Sequence, residues 1–297
     1  MRTALIATVK NESPYILAFL DSILYQTRRP DIVVIVDGGS TDGTIDRVYD
    51  WQRIHKNAIF YSVVPGNRSL GRNVATFFAN AEFVACTNVS VLAPDWFERI
   101  IAPLEGSVEG EADIDVVGGT YIIESNLTPR EQAAALVTQY DRHEVIEKKF
   151  VSALSMAFTT RAWKAVGRFP EDLDTSEDTV FVQRLRDAGM KFAYVPEALV
   201  WWTPNTLTLR SAYHTYKQFA QTDAKADVLH AQYAVTMLAY AVPLLTALVN
   251  PVLGLFLLGS WLTFRVRKVL NAGLVEQVPY AMAMVVAVDM GRLRGYL

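Results

Sequence analysis

The chain has 297 residues, 51% of them apolar, with 28 basic and 31 acidic side chains for a net charge of −3. That length accommodates one large α/β domain and an appendage, and a slightly acidic chain offers no basic surface for nucleic acid. The single cysteine, Cys86, excludes an intrachain disulfide, which is compatible with a reducing compartment.

Met1-Arg2 leads directly into an apolar strand at 3–9, without the charged-then-apolar pattern of a leader. Lys10-Asn11-Glu12-Ser13-Pro14 reads as a loop and helix start, and apolar residues at helical spacing follow over 16–25. Arg28-Arg29 reads as a solvated turn. Ile32-Val33-Val34-Ile35-Val36 is β-branched throughout, as expected of a parallel strand buried on both faces. It ends in Asp37-Gly38-Gly39-Ser40-Thr41-Asp42-Gly43-Thr44. Strand, helix and strand in this span form a right-handed βαβ unit. Both loops then leave the same sheet edge, where open α/β sheets bind ligands, so Thr8, Asn11 and Glu12 face Asp37. The second loop has neither a P-loop lysine nor a GxGxxG run. Asp37 and Asp42 suit hydroxyl or amide N–H partners; a solvated acidic turn is the alternative.

A strand at 59–64 precedes a loop at 65–73, a helix at 74–81 and a strand at 82–87. Residues 88–96 read as another loop, with Asp95 starting the next helix. Residues 105–115 are acidic and read as a surface loop before a strand at 116–119, and 124–150 are polar and helical in pattern. Ser176-Glu177-Asp178 has the form of a helix N-cap with acids in the first turn.

Taken in order, these segments resemble the inverting glycosyltransferases of family 2, which have the GT-A nucleotide-sugar fold. The resemblance rests on Ala7-Thr8-Val9-Lys10-Asn11-Glu12, the 36–44 loop, Gly71-Arg72-Asn73, residues 87–96, Ser155-Met156-Ala157-Phe158, Gly167-Arg168-Phe169-Pro170-Glu171 and Ser176-Glu177-Asp178-Thr179. It implies an α/β fold with a mostly parallel sheet and helices on both faces. It also implies a UDP- or GDP-linked sugar donor. Thr8, Glu12 and Asp37 would then contact the nucleoside, Arg72 would turn toward the donor, and Asn11, Gly38, Asp42, Asn88 and Ser90 would complete the donor site. Glu177 and Asp178 match the family's acidic pair, with Asp178 as the general base that deprotonates the acceptor hydroxyl.

The pattern breaks where most GT-A enzymes carry Asp-x-Asp, the motif that holds a divalent cation against the leaving diphosphate. This chain has Asn88-Val89-Ser90, and neither Asn88 nor Ser90 supplies a carboxylate. The segment 199–205 also lacks a histidine. Three readings stay open. A metal-independent site can use Arg72 or a helix N-terminus; Mg or Mn can be carried by the donor phosphates; or the chain binds without catalysing. Trp201 and Trp202 are candidates for stacking on an acceptor sugar, with core packing as the alternative.

From 228 to 264 there is no Asp, Glu, Lys or Arg. Pro243 and Pro251 interrupt this run, and Asn250-Pro251 is the expected break. The pieces 235–249 and 252–264 are each short of the roughly 20 residues of a full span. Lys217 and Lys225 precede the run, and Arg265, Arg267 and Lys268 follow it. Basic flanks on both sides place both ends at the cytoplasmic face of the cell membrane. A re-entrant hairpin or interfacial helices fit this better than one crossing, with 278–288 as a further surface helix. A hairpin packed against the domain or a second copy is the alternative. The expected division is a GT-A domain over 1–212 and a membrane-associated or oligomerising helical region over 213–297. The expected activity is sugar transfer to a lipid-linked or envelope glycan acceptor at a membrane, and a degenerate nucleotide-sugar- or partner-binding protein is the runner-up.

Overall fold

The computed structural model describes residues 1–56, 58–108, 113–123, 127–138, 146, 149–202, 208–227 and 230–296. The chain divides into two compact units, Met1–Ile122 with Arg142–Thr203, and Ile123–Asp141 with Pro204–Leu297.

The first unit is a mixed α/β sheet with helices. It begins β1 (Thr3–Val9), α1 (Ile16–Leu24), β2 (Ile32–Asp37), α2 (Thr44–Ile54), β3 (Phe60–Val63), α3 (Arg68–Ala79) and β4 (Phe83–Thr87). β5 (Val91–Leu92), α4 (Trp96–Val108) and β6 (Val116–Ile123) follow. Helix α5 (Pro129–Thr138) belongs to the second unit, and β7 (Met156–Thr159), α6 (Thr160–Ala165), α7 (Glu177–Asp187) and β8 (Phe192–Trp202) complete the first. The sheet order is β3-β2-β1-β4-β7-β6-β8-β5. The first four strands pair in parallel and form the expected βαβ half; β7 then pairs antiparallel with both β4 and β6, and β5 with β8. The strands between helical layers are buried along almost their whole length, which is why they read as continuous apolar runs.

Two local expectations change. Helix α3 starts at Arg68, not at 74, because Asn67 caps it: the Leu70 N–H donates to Asn67 Oδ1 at 3.0 Å. Arg72 and Asn73 therefore stand on a helix rather than in a loop. Helix α4 runs to Val108, so Glu105 is helical, and Arg28 grips it with both terminal nitrogens at 2.5 and 2.6 Å. The 28–29 turn is thus a bidentate tie between two elements. Part of the acidic stretch, 109–112, lies outside the described residues.

The second unit is helical: α5, α8 (Leu209–Lys225), α9 (His230–Val249), α10 (Pro251–Asn271) and α11 (Val278–Tyr296). Thr208 and Ser211 form a reciprocal capping box at the start of α8. Helix α11 has one buried face, while Val286 and Met290 stay exposed on the other. It buries Ala281, Met284, Val285 and Val288 among α5, α8 and α10. Gly291 and Gly295 let it lie against α8, since a Cβ on either would fall 2.4 or 2.2 Å from a backbone oxygen of that helix. The expected break at Asn250-Pro251 is the turn between α9 and α10.

Candidate functional site

Register brings the site residues together. β1 and β2 pair Val9 with Asp37, and β1 and β4 pair Ala7 with Thr87, so the loops after all three strands leave one edge of the sheet. The first two loops are knitted by four backbone N–H groups. Asn11 N–H donates to Ser40 Oγ (2.8 Å), Glu12 N–H to Thr44 Oγ1 (2.9 Å), Ser13 N–H to Asp42 Oδ2 (3.0 Å) and Thr41 N–H to Asn11 Oδ1 (2.8 Å). Asn11 holds a left-handed φ of 57° in doing so, a conformation asparagine tolerates better than most residues.

Asp37 is fully buried. Its Oδ1 accepts from the Gly39 and Ser40 N–H groups at 2.8 and 2.7 Å, and its Oδ2 accepts from the Tyr61 hydroxyl at 2.7 Å. The solvated-turn alternative is therefore wrong for Asp37: this carboxylate builds the loop from inside. Asp42 is exposed and caps its own turn through Thr44. Gly38 leaves room for the neighbouring loop, since a Cβ there would meet Gly66 O at 3.0 Å. Glu12 is partly buried, and burial pushes its carboxyl up to about 7, with Arg68 pulling down and Asp42 pushing up.

Beside these loops lies a charged junction. Arg72 Nη1 bonds Glu177 Oε1 at 2.5 Å, and Arg72 Nη2 donates to the amide oxygen of Asn88 at 2.9 Å. Burial works against the Glu177 carboxylate, but the charges of Arg72 and Arg68 prevail and hold it below the usual range. Asp178 behaves oppositely. Burial and the charge of Glu177 raise it, although Oδ2 accepts the Ala153 N–H at 3.0 Å and Oδ1 the Thr179 N–H at 2.8 Å. Two adjacent carboxyls are thus pushed apart in acidity, a division that suits an ion-pair anchor and a proton acceptor. Ser176 is the N-cap of α7, but its φ is 56° and its hydroxyl makes no capping bond, so the expected serine cap is absent.

The sequence pattern did not single out Tyr61 or Arg68, and it gave Asn73, within the Gly71-Arg72-Asn73 motif, no role of its own. Tyr61 clamps Asp37, and the only hint was a strand aromatic in register with that loop. Arg68 is the first residue of α3 and acts electrostatically on both Glu12 and Glu177. Asn73 is a scaffold: its Nδ2 donates to Phe169 O and Glu171 Oε1, and its Oδ1 accepts from Trp163 Nε1 and the Phe169 N–H. That network explains why Gly71-Arg72-Asn73 and the 167–171 segment occur together.

The hydroxyl oxygens of Thr8, Ser69 and Ser90 are buried without a hydrogen-bond partner. Buried polar groups are nearly always paired, so these open hydroxyls stand out among the site residues. Trp201 and Trp202 are partly buried at the end of β8; Trp201 opposes Val91 of β5, and Trp202 meets Tyr121 edge-on at 6.1 Å. Both pack on the first unit's core, and residues 203–207 beyond them lie outside the described residues.

The fold family implies a divalent cation at the end of β4, and the residues there do not fit one. The Asn88 oxygen is already engaged by a guanidinium, Ser90 offers only a hydroxyl, and no group of three or more His, Cys, Asp or Glu able to hold a metal occurs among the described residues.

Residues 4–162 match the family model described as glycosyl transferase family 2. No curated protein matches the chain. Among solved structures, the mannosyltransferase PcManGT from Pyrobaculum calidifontis, in complex with GDP-Man and Mn2+, superposes with a TM-score of 0.64 at 20% identity, over 97% of this chain and 86% of that one. S. aureus TarS 1–349 in complex with UDP-GlcNAc superposes with a TM-score of 0.53 at 18% identity, over 98% and 90%. At these identities the likeness is one of fold.

Proposed function

Because the chain belongs to glycosyl transferase family 2, we propose that it is an inverting enzyme that moves a hexosyl group from a UDP- or GDP-linked donor to a lipid-linked or envelope glycan acceptor. The observation that carries the reading is the junction of Asp178, Glu177, Arg72 and Asn88 beside the loops of β1 and β2. Thr8, Asn11, Glu12 and the 37–44 loop receive the nucleoside. Glu12, poised near neutrality, accepts an N–H or a hydroxyl of the donor. Asp178 takes the proton from the acceptor hydroxyl as that oxygen attacks the anomeric carbon in line with the departing nucleoside diphosphate. One displacement of this kind inverts the centre. Its raised pKa suits it to the task, since a base works best when its pKa approaches the working pH.

Arg72 and Arg68 supply positive charge where relatives of the fold use a metal. Fixed cations stabilise developing charge on a leaving diphosphate without reorganising during the reaction. The nucleotide sugars named for the two similar structures, GDP-Man and UDP-GlcNAc, define the donors to try first. The apolar run in the C-terminal helices supports a site of action at the cytoplasmic face of a membrane, and hence a lipid-linked acceptor.

The test is calorimetric titration of UDP, GDP and their common sugar conjugates, with Mn²⁺ and with EDTA. Binding that EDTA leaves intact supports a site built on Arg72 and Asn88. Binding that requires Mn²⁺ rejects that part of the reading, and no binding at all rejects the donor site. The engagement of Asn88 by Arg72 also favours a second reading, a binding protein that retains the pocket without turnover; donor binding with no transfer to any lipid-linked acceptor would select it.

A further inference from the structure

The hairpin of α9 and α10 ends in an apolar tip. Leu248, Val249 and Val252 are 83, 90 and 78% exposed, and Leu244, Leu245, Leu255 and Phe256 are exposed behind them. Apolar surface of this extent marks a contact with something other than water.

Three N–H groups of the turn are satisfied within the hairpin. The Asn250 N–H donates to Thr246 O at 2.8 Å, the Gly254 N–H to Asn250 O at 3.0 Å and the Leu253 N–H to Asn250 Oδ1 at 3.1 Å; Pro251 has no N–H. The hydroxyls of Thr246 and Ser260 donate one turn back, to Val242 O and Phe256 O, at 2.8 Å each. Hydrocarbon demands this of a backbone, because it offers no water to satisfy what is left over. The helices close on small residues, since a Cβ on Gly254 would fall 2.5 Å from that of Ala247.

Below the tip lies a polar layer. Asp289 of α11 is fully buried; both its oxygens accept from Arg265 Nη1 at 2.9 Å, and Oδ2 accepts from the Tyr240 hydroxyl at 3.0 Å. Tyr240 stands ten residues before the turn, about 15 Å at 1.5 Å per residue. Residues 251–264 are free of charge and span about 21 Å, and Arg265, Arg267 and Lys268 follow them. The side chain of Arg265 leans toward the N-terminus of its own helix, which is toward the tip. The apolar cap is thus about one leaflet tall, against a full hydrocarbon core of about 30 Å. Among the described residues, helix α9 alone, over Ala231–Val249, meets the length and composition of a crossing helix. Its lower half, however, is held by protein, with Tyr233 bonded to Asp223 of α8 and Tyr240 bonded to Asp289.

We propose that the α9–α10 hairpin inserts into a single leaflet of an anionic bilayer, with the Asn250 turn inside the hydrocarbon and Arg267 and Lys268 among the headgroups. The hairpin anchors the chain and does not cross. The inference rests on the membrane part of the proposed function and is independent of its chemistry.

Position 249 reports the depth. A full-length Val249→Cys chain carries one accessible thiol, because Cys86 is buried. Labelled with an environment-sensitive fluorophore and mixed with phosphatidylcholine–phosphatidylglycerol vesicles, it should shift to the blue and resist aqueous iodide. It should also be quenched more by a nitroxide deep in the acyl chain than by one at the headgroup. A Leu248→Asp/Val252→Asp chain should partition into the same vesicles at least about tenfold more weakly, while its donor titration stays unchanged. An impermeant thiol reagent sealed inside the vesicles that modifies position 249 would show a crossing hairpin and overturn the proposal. So would a chain that ignores vesicles and sediments as a dimer, which would assign the tip to a second copy. In either case, intact donor binding would leave the transferase reading standing.

Discussion

Arg72 and Glu177 stand 105 residues apart in the chain and form a 2.5 Å ion pair with 1 and 5% of their side-chain surfaces exposed. The pair ties α3 to α7. Removing one partner strands the other charge in the interior, at a cost of about 3–5 kcal/mol, whereas replacing both with apolar side chains restores much of the loss. Arg72→Met and Glu177→Leu should each lower the unfolding free energy by that order in urea titrations, and the double variant should be more stable than the sum of the two losses predicts. Strict additivity would mean that the pair contributes no coupling.

Asp178 lies next to Glu177 in sequence but accepts from backbone N–H groups and has no cation of its own among its hydrogen-bond donors. Asp178→Asn keeps the size and an acceptor oxygen while removing the proton-accepting charge. Turnover should fall by about 10²–10⁴-fold, the usual worth of a positioned base, with donor affinity essentially retained. A variant that still turns over at the parental rate would remove Asp178 from the mechanism.

The parallel half of the sheet was legible because β1, β2 and β4 are apolar on both faces and each ends in a loop of small polar residues. The ordered motifs then placed Glu177 and Arg72 in one neighbourhood. Three things were hidden. The start of α3 depended on the Asn67 side chain finding the Leu70 N–H, which a window containing Pro65 and Gly66 conceals. The pairing of Arg28 with Glu105 spans 77 residues and has no local signature. Tyr61 became part of the site only through strand register, which sets Ile35 beside Tyr61 and brings the hydroxyl onto Asp37.

Glu12 provides the pH dependence. Its carboxyl ionises near 7 in the folded chain and near 4.5 in the unfolded one. Between those values the unfolded chain releases a proton that the folded chain keeps, so this residue's contribution to stability falls as pH rises from about 4.5 to about 7. Glu12→Gln should flatten that decline in denaturation midpoints measured across pH. A donor N–H or hydroxyl bonds the ionised form better, so donor affinity should rise with pH through the same window, and the rise should vanish in Glu12→Gln. Parallel pH profiles for parent and variant would sink both expectations.

Gly119 has a narrower role that tests how tightly the sheet holds Asp178. A Cβ at this position would fall 2.1 Å from Ser155 Oγ and 2.5 Å from the carbonyl oxygen of Ala198. Ser155 cannot yield easily: its hydroxyl donates to that carbonyl at 3.1 Å and accepts from Trp96 Nε1 at 2.8 Å. The residues just before it are committed as well, with Leu154 O accepting from Thr87 Oγ1 at 2.9 Å and the Ala153 N–H on Asp178. Gly119→Ala must therefore push the 153–155 segment away from β6 and carry a ligand of Asp178 with it. Overpacking of this kind costs about 1–3 kcal/mol, so thermal unfolding should move down. Turnover should drop further than donor affinity, because the strain falls on the segment that holds Asp178. Equal losses in turnover and in donor binding would show that the sheet transmits the strain evenly, and that the Ala153 N–H has no special part in placing Asp178.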